Sequence, residues 1–142
     1  MKIISHRGNL LGNKVEEENK KSSVIRAIEL GFDVEIDFWH TEKGFFLGHD
    51  SPQESVTLEW LHEMKDNLWV HSKNLDSIRI LKQTELNWFW HENDRMTITS
   101  KGFIWCNYNV IVPEGILVEL DYKLLPDTLY GVCTDKPLEY RK

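Results

Sequence analysis

Apolar and polar residues along this chain follow two rhythms. Residues 2–5 form a short apolar run that ends at His6-Arg7-Gly8, and such a run reads as a strand. Residues 8–21 are polar and include Gly8, Gly12 and the run Glu16-Glu17-Glu18-Asn19, so a loop is expected. Val24, Ile25, Ala27, Ile28 and Leu30 then recur at helical spacing, with Ser22 or Ser23 as the expected N-cap and Gly31 as the stop. From Asp33 to Phe38 the alternation is strict. Val34, Ile36 and Phe38 fall on one side and Asp33, Glu35 and Asp37 on the other, which predicts a strand with one apolar and one acidic face. Phe45–Leu47 predicts a brief strand leading to Gly48-His49-Asp50. Thr57 is the expected cap of a helix carrying Leu58, Leu61 and Met64. Residues 68–72 read as a third main strand, Leu75, Ile78 and Leu81 mark a third helix, and 87–91 a further strand. Beyond that point helical spacing disappears. Residues 103–106, 116–120 and 130–133 read as strands joined by links of nine to eleven residues, at or below the minimum of ~10–12 for a helical crossover, so extended loops or single turns are expected.

Alternating strands and helices predict a parallel sheet with helices outside it. An open doubly wound sheet is one arrangement, but charged side chains at strand ends suit a barrel mouth better. A full barrel of that type has ~250 residues, whereas this chain has 142. The expectation is therefore an α/β fold, a reduced TIM-type parallel barrel forming one domain over residues 1–142, with helices lost in the C-terminal half. Its uncovered outer face near the last strands would be apolar, and a homodimer is expected to hide it.

Composition narrows the partners. The chain is 41% hydrophobic and 28% charged, with net charge -6, an ordinary globular balance. Acidity argues against nonspecific binding to nucleic acid or to an anionic membrane surface. No apolar run approaches a membrane span, and the N-terminal residues lack the long apolar stretch of a signal peptide, so no stable membrane insertion and a cytoplasmic location are expected. Cys106 and Cys133 make neither a disulfide framework nor a zinc motif. An anionic substrate would need local positive charge or a metal ion. Of the six tryptophans, Trp39, Trp69, Trp90 and Trp105 fall near strand ends. They can rim a pocket or fill a core short of helices, and core filling is expected for at least half of them.

The acidic strand carries the most chemistry. Glu35 and Asp37 lie two residues apart, so both point to one face at a separation of about 6.6 Å. Facing inward they repel and lose solvation, and a divalent cation with oxygen ligands, Mg²⁺ or Ca²⁺, resolves both problems. Taken alone, Glu-x-Asp is more often a solvent-facing strand. His6 ends the first strand and can exchange protons near neutral pH, and Arg7 beside it can hold a phosphate. His49, at another strand end, is a second proton-transfer group. Lys73 follows the third main strand and shares a face with His71 and Trp69. Each residue alone has an ordinary surface explanation. Their recurrence at successive strand ends is what points to an active site, because catalytic groups in parallel barrels sit there.

The run His6-Arg7-Gly8, Glu18-Asn19, Ala27-Ile28-x-x-Gly31-x-Asp33-x-Glu35-x-Asp37 and Gly48-His49-Asp50 resembles the glycerophosphodiester phosphodiesterases. Cys133-Thr134-Asp135-Lys136-Pro137 resembles the closing strand of that family. The resemblance implies a metal-dependent phosphoric diester hydrolase acting on a small phosphodiester. It makes His6 and His49 the general acid/base pair, Glu35 and Asp37 the metal ligands, and Arg7 and Lys73 the phosphate contacts. The chain departs from the pattern at His71, where the family offers a third carboxylate two residues before the lysine. His71 is expected behind the metal ligands or against the phosphate, with Glu119 as a further carboxylate for the metal. The rival reading is a barrel that binds phospho-ligands without catalysis. A third is a lyase with the same site and a cyclic product.

Overall fold

The structure is a computed structural model and describes residues 1–141. Its strands are β1 (Lys2–His6), β2 (Asp33–Thr41), β3 (Gly44–Leu47), β4 (Glu54–Val56), β5 (Leu68–Ser72), β6 (Trp88–Phe89), β7 (Met96–Ile98), β8 (Ile104–Cys106), β9 (Ile116–Val118) and β10 (Gly131–Thr134). Four short helices accompany them: α1 (Lys21–Glu29), α2 (Leu58–Glu63), α3 (Leu75–Leu81) and α4 (Pro137–Tyr140). None of the helices among the described residues is long and apolar enough to cross a membrane.

Side-chain chemistry sets the helix ends. Thr57 accepts a hydrogen bond from the Trp60 N–H at the start of α2. Asn74 and Ser77 form a reciprocal capping box on α3. The N-terminus of α1 differs from expectation. Ser23 is buried against Gly8, where an added Cβ would sit 2.9 Å from the Ser23 Cβ, and so neither serine caps. Instead Glu54 of β4 accepts from the Lys21 N–H at 2.8 Å. Gly31 ends α1 in the left-handed region, and Phe32 N–H closes onto the Ala27 carbonyl.

The sheet overturns the expected reduced TIM-type parallel barrel. It is a curled, mixed sheet, a half-barrel with few helices over it. Parallel pairs join β6, β5, β2, β1, β10, β9 and β8 in that spatial order. Antiparallel pairs then add β7 to β8, β3 to the far half of β2, and β4 to β3. Two physical causes account for the difference. The two-residue link Glu42-Lys43 is too short for a crossover, so β2 folds straight back into a hairpin. In the C-terminal half the links carry turns rather than helices, and β6 is only two residues long. Its bonds to the β7–β8 hairpin run through Ser100, whose N–H donates to the Trp88 carbonyl and whose Oγ accepts from the Trp88 N–H. That contact approaches closure without forming a ladder.

Two apolar clusters lie on either side of the curl. Val34, Ile36 and Phe38 of β2 and Val70 of β5 face the helices, packing with Val24, Ala27, Leu61 and Leu81. Inside the curl, Ile4, Trp69, Phe89, Trp105, Ile116 and Cys133 come from six different strands. Large aromatics suit this inner layer because a few residues must fill it. Trp69 and Trp105 belong to this core, while Trp90 is about one-third exposed at 36%. Both faces of β2 are thus buried, and its acidic face points into the curl.

Candidate active site

Register brings the chemistry to the end of the curl where the parallel strands finish. His6 of β1 pairs with Glu35 of β2, and Asp37 pairs with His71 of β5. In a parallel sheet such partners share a face. A pocket of about 360 Å³ opens there, and His6, Arg7, Glu35, Asp37, His49, His71 and Lys73 all line it. These seven expected residues therefore reach one cavity. Glu119, expected as a further carboxylate for the metal, does not. It alternates with Val118, which lines the pocket, and it pairs at 2.9 Å with Lys123.

The two turns that deliver histidines depend on close backbone approaches. Gly8 follows Arg7 with φ +86° and lies against Ser23. Arg7 is itself left-handed at φ 58°, a conformation costly for a residue with a Cβ. Gly48, before His49, would place a Cβ only 1.9 Å from the Ser51 carbonyl oxygen.

Partner chemistry constrains the hydrogens on three histidines. His6 Nδ1 lies 2.7 Å from Asp135 Oδ1. The carboxylate only accepts, so Nδ1 donates and the His6 Nε2 lone pair is free, 3.9 Å from Glu35 Oε1. His49 Nδ1 lies 2.7 Å from Arg7 Nη2. The guanidinium only donates, so Nδ1 accepts and Nε2 carries the hydrogen. His71 meets an acceptor on both sides, the His91 backbone carbonyl 3.2 Å from Nε2 and the Asp37 carboxylate 3.1 Å from Nδ1, so the ring presents a hydrogen to each unless a cation takes the place of the one on Nδ1.

Arg7 is bound on three sides. Its Nε is 3.1 Å from Asp37 Oδ2 but off the hydrogen-bonding direction, so that contact is ionic. Its Nη1 reaches Glu18 at 3.4 Å. Burial disfavours the guanidinium charge, but Asp37, Glu35 and Glu18 outweigh burial and raise its pKa. Lys73 has no such partner. No carboxylate lies within 4 Å of its ammonium among the described residues, which leaves it the cation free to meet an anion.

The carboxylates divide in character. Burial, and then the neighbouring Asp37, push the Glu35 carboxyl well above the usual range. Burial would raise Asp37 as well, but the hydrogen bond from His71 at 3.1 Å and the Arg7 charge hold it well below that range. Asn19 adds a clamp: its Nδ2 donates to Asp37 Oδ2 at 2.9 Å, and its Oδ1 accepts from the Asp37 N–H.

Glu35, Asp37 and His71 place one donor atom each within 4.8 Å of one another. Glu35 is 3% exposed, and its Oε1 has no hydrogen-bond partner. An orphaned buried carboxylate oxygen costs upwards of ~1–3 kcal/mol, and a bound cation removes that cost. The donor set therefore fits a divalent ion. His6, Glu18 and Asp135 also lie close together, but they read differently. Asn9 Nδ2 donates to Glu18 at 2.7 Å and to Asp135 at 2.9 Å, so this group is a hydrogen-bonded scaffold.

Comparison with known proteins returned no matching family model and no matching curated protein.

Sequence reasoning missed several residues of the site. Asn9 and Asp135 hold His6, and Glu18 holds Arg7. Glu18 and Asp135 stood inside recognised runs, yet neither carried a role, because only tertiary contact shows which histidine a distant carboxylate meets. Asn93 and Asn107 line the outer wall beside Trp90, which the sequence offered as a rim residue, and His91. The two asparagines lie in irregular segments that carry no periodic signal.

Proposed function

We propose that this protein is a metal-dependent phosphodiesterase of the glycerophosphodiester phosphodiesterase type. The observation that carries the reading is the opposite setting of two histidines on one pocket: His6 presents a bare Nε2 backed by Asp135, and His49 presents an Nε2–H. Simple ligand binding does not need that polarity, whereas general acid/base chemistry does. The motif resemblance supports the same reading.

The substrate diester enters with its phosphoryl group toward Lys73. His6 Nε2 takes the proton from the attacking hydroxyl as the new P–O bond forms. Asp135 stabilises the imidazolium this creates, in the manner of a triad carboxylate. A phosphoryl oxygen competes for Arg7 Nη2 and so frees His49 Nδ1. That nitrogen then takes up a proton from solvent, held facing Asp37 Oδ2 3.7 Å away. Protonated His49 gives its Nε2 proton to the leaving oxygen as the old P–O bond breaks. Glu35 and Asp37 would hold a divalent cation, which when bound would supply charge stabilisation to the phosphoryl oxygens. With water as attacker the products are a phosphomonoester and an alcohol. With a hydroxyl of the substrate itself, the product is a cyclic phosphate.

The test is hydrolysis of a chromogenic phosphodiester by protein stripped with a chelator and then given back divalent cations. Turnover that vanishes on stripping and returns with the cation is expected. Saturable phosphodiester binding without turnover under every condition would favour a phospho-ligand-binding fold instead.

A further inference from the structure

We propose that His71 Nδ1 is itself a ligand of the cation, and that the site is built for a first-row transition ion, Zn²⁺ ahead of Mn²⁺, over Mg²⁺ or Ca²⁺. The inference rests on the metal centre of the proposed function and assigns that centre its third donor.

Three observations carry it. His71 Nε2–H is committed to the His91 carbonyl at 3.2 Å. Metal-ligating histidines typically anchor their other ring nitrogen in this way, on a carbonyl or carboxylate. The other nitrogen of His71, Nδ1, faces two carboxylate acceptors, Asp37 Oδ1 at 3.1 Å and Glu35 Oε2 at 3.9 Å. Nδ1 meets them through a positive species between, either the proton it carries or a divalent ion that displaces it. Two donors on one ion at ~2.1 Å and a right angle lie ~3 Å apart, so the Asp37–His71 spacing is that of neighbouring ligands. Third, Glu35 Oε1 is buried and unpartnered, so the carboxylate pair retains coordinating capacity that the protein itself does not use.

The ring is also held rigidly. His71 packs in a three-ring cluster with Phe89 and His91, with centroids 5.1 and 4.7 Å from its own and 5.8 Å from each other. The orientation of Nδ1 is thus fixed by packing before any ion arrives. Replacing a carboxylate with an imidazole changes the cation preference in a definite direction. Mg²⁺ and Ca²⁺ prefer oxygen donors, while imidazole suits ions later in the first transition row. The site also carries one negative charge fewer than a three-carboxylate set, which weakens electrostatic capture of hard ions most.

Direct spectroscopy on the wild-type chain tests this. Mn²⁺ is added to chelator-stripped protein, and pulsed electron paramagnetic resonance reads ¹⁴N coupling to the ion. Calorimetry in parallel compares Mn²⁺, Zn²⁺, Mg²⁺ and Ca²⁺ on wild type, His71→Ala and His71→Glu. Imidazole nitrogen coupling is expected in wild type and not in either variant, and Mn²⁺ should bind about tenfold or more tightly than Mg²⁺. His71→Glu should narrow or reverse that preference. Mn²⁺ bound without nitrogen coupling, Mg²⁺ or Ca²⁺ bound as tightly as Mn²⁺, or no cation bound at all would each overturn the proposal. The wild-type spectrum does not depend on either variant folding. Absence of phosphodiester turnover with nitrogen coupling intact would sink the catalytic reading and leave this ligand assignment standing.

Discussion

Asp135→Asn removes one charge and little else. The amide keeps the shape of the carboxylate, and its oxygen can still accept from His6 Nδ1 and Asn9 Nδ2, which now lie 2.7 and 2.9 Å from Asp135 Oδ1. What is lost is the negative charge behind the ring when His6 gains a proton. Both side chains are largely buried, so solvent does little to replace it. A hydrogen bond to a charged group exceeds a neutral one by ~1–1.5 kcal/mol. At ~1.36 kcal/mol per decade, that converts to a loss of about 5- to 10-fold in kcat. KM should hardly move, because Asp135 lies behind His6 and does not line the pocket. The assay is steady-state turnover of a chromogenic phosphodiester by both proteins, with thermal melting as the control for folding. Wild-type kcat in a folded Asp135→Asn protein would refute the argument. So would a loss confined to KM.

Three further outcomes follow from the geometry. Lys73→Ala should raise KM for an anionic diester more than it lowers kcat, since Lys73 is the unpaired cation on the pocket; the same kinetic assay checks it. Gly8→Ala should destabilise the chain by roughly 2 kcal/mol or more, combining a left-handed φ with the Ser23 contact, as read by chemical denaturation. Cys133 should resist thiol reagents in the folded protein and react on unfolding. It is fully buried, and burial together with nearby Glu35 and Asp135 pushes its thiol pKa well up.

Much of the site could be read from the chain because it lies on β2 and at the ends of β1 and β5. The period-two pattern placed Glu35 and Asp37 on one face without knowledge of any neighbour, and register then set them beside His6 and His71. Thr57 and Gly31 were legible for the same local reason. The barrel was not legible. Whether strands close, and whether a link returns parallel or antiparallel, depends on pairing partners far apart in sequence. The Glu42-Lys43 turn and the two-residue β6 decide both, and neither gives a periodic signal. The support of the site was equally hidden. Asp135 lies 129 positions from His6, and Glu54 caps α1 from 33 positions away, so nothing in their immediate sequence marks either contact. His71 was recognised as unusual, but the His91 carbonyl that anchors its Nε2 is supplied only by the folded chain.

The central claim is that His6 and His49 form a working acid/base pair. The most direct measurement is single-turnover hydrolysis of one phosphodiester by metal-loaded wild type, His6→Ala, His49→Ala and the double variant, each shown by circular dichroism to be folded. Each single variant should fall by ~10²–10⁴-fold. The double variant should fall by little more than the worse single, as groups acting in one step do. Wild-type rates in either folded single variant, or no turnover in the metal-loaded wild type, would contradict the account.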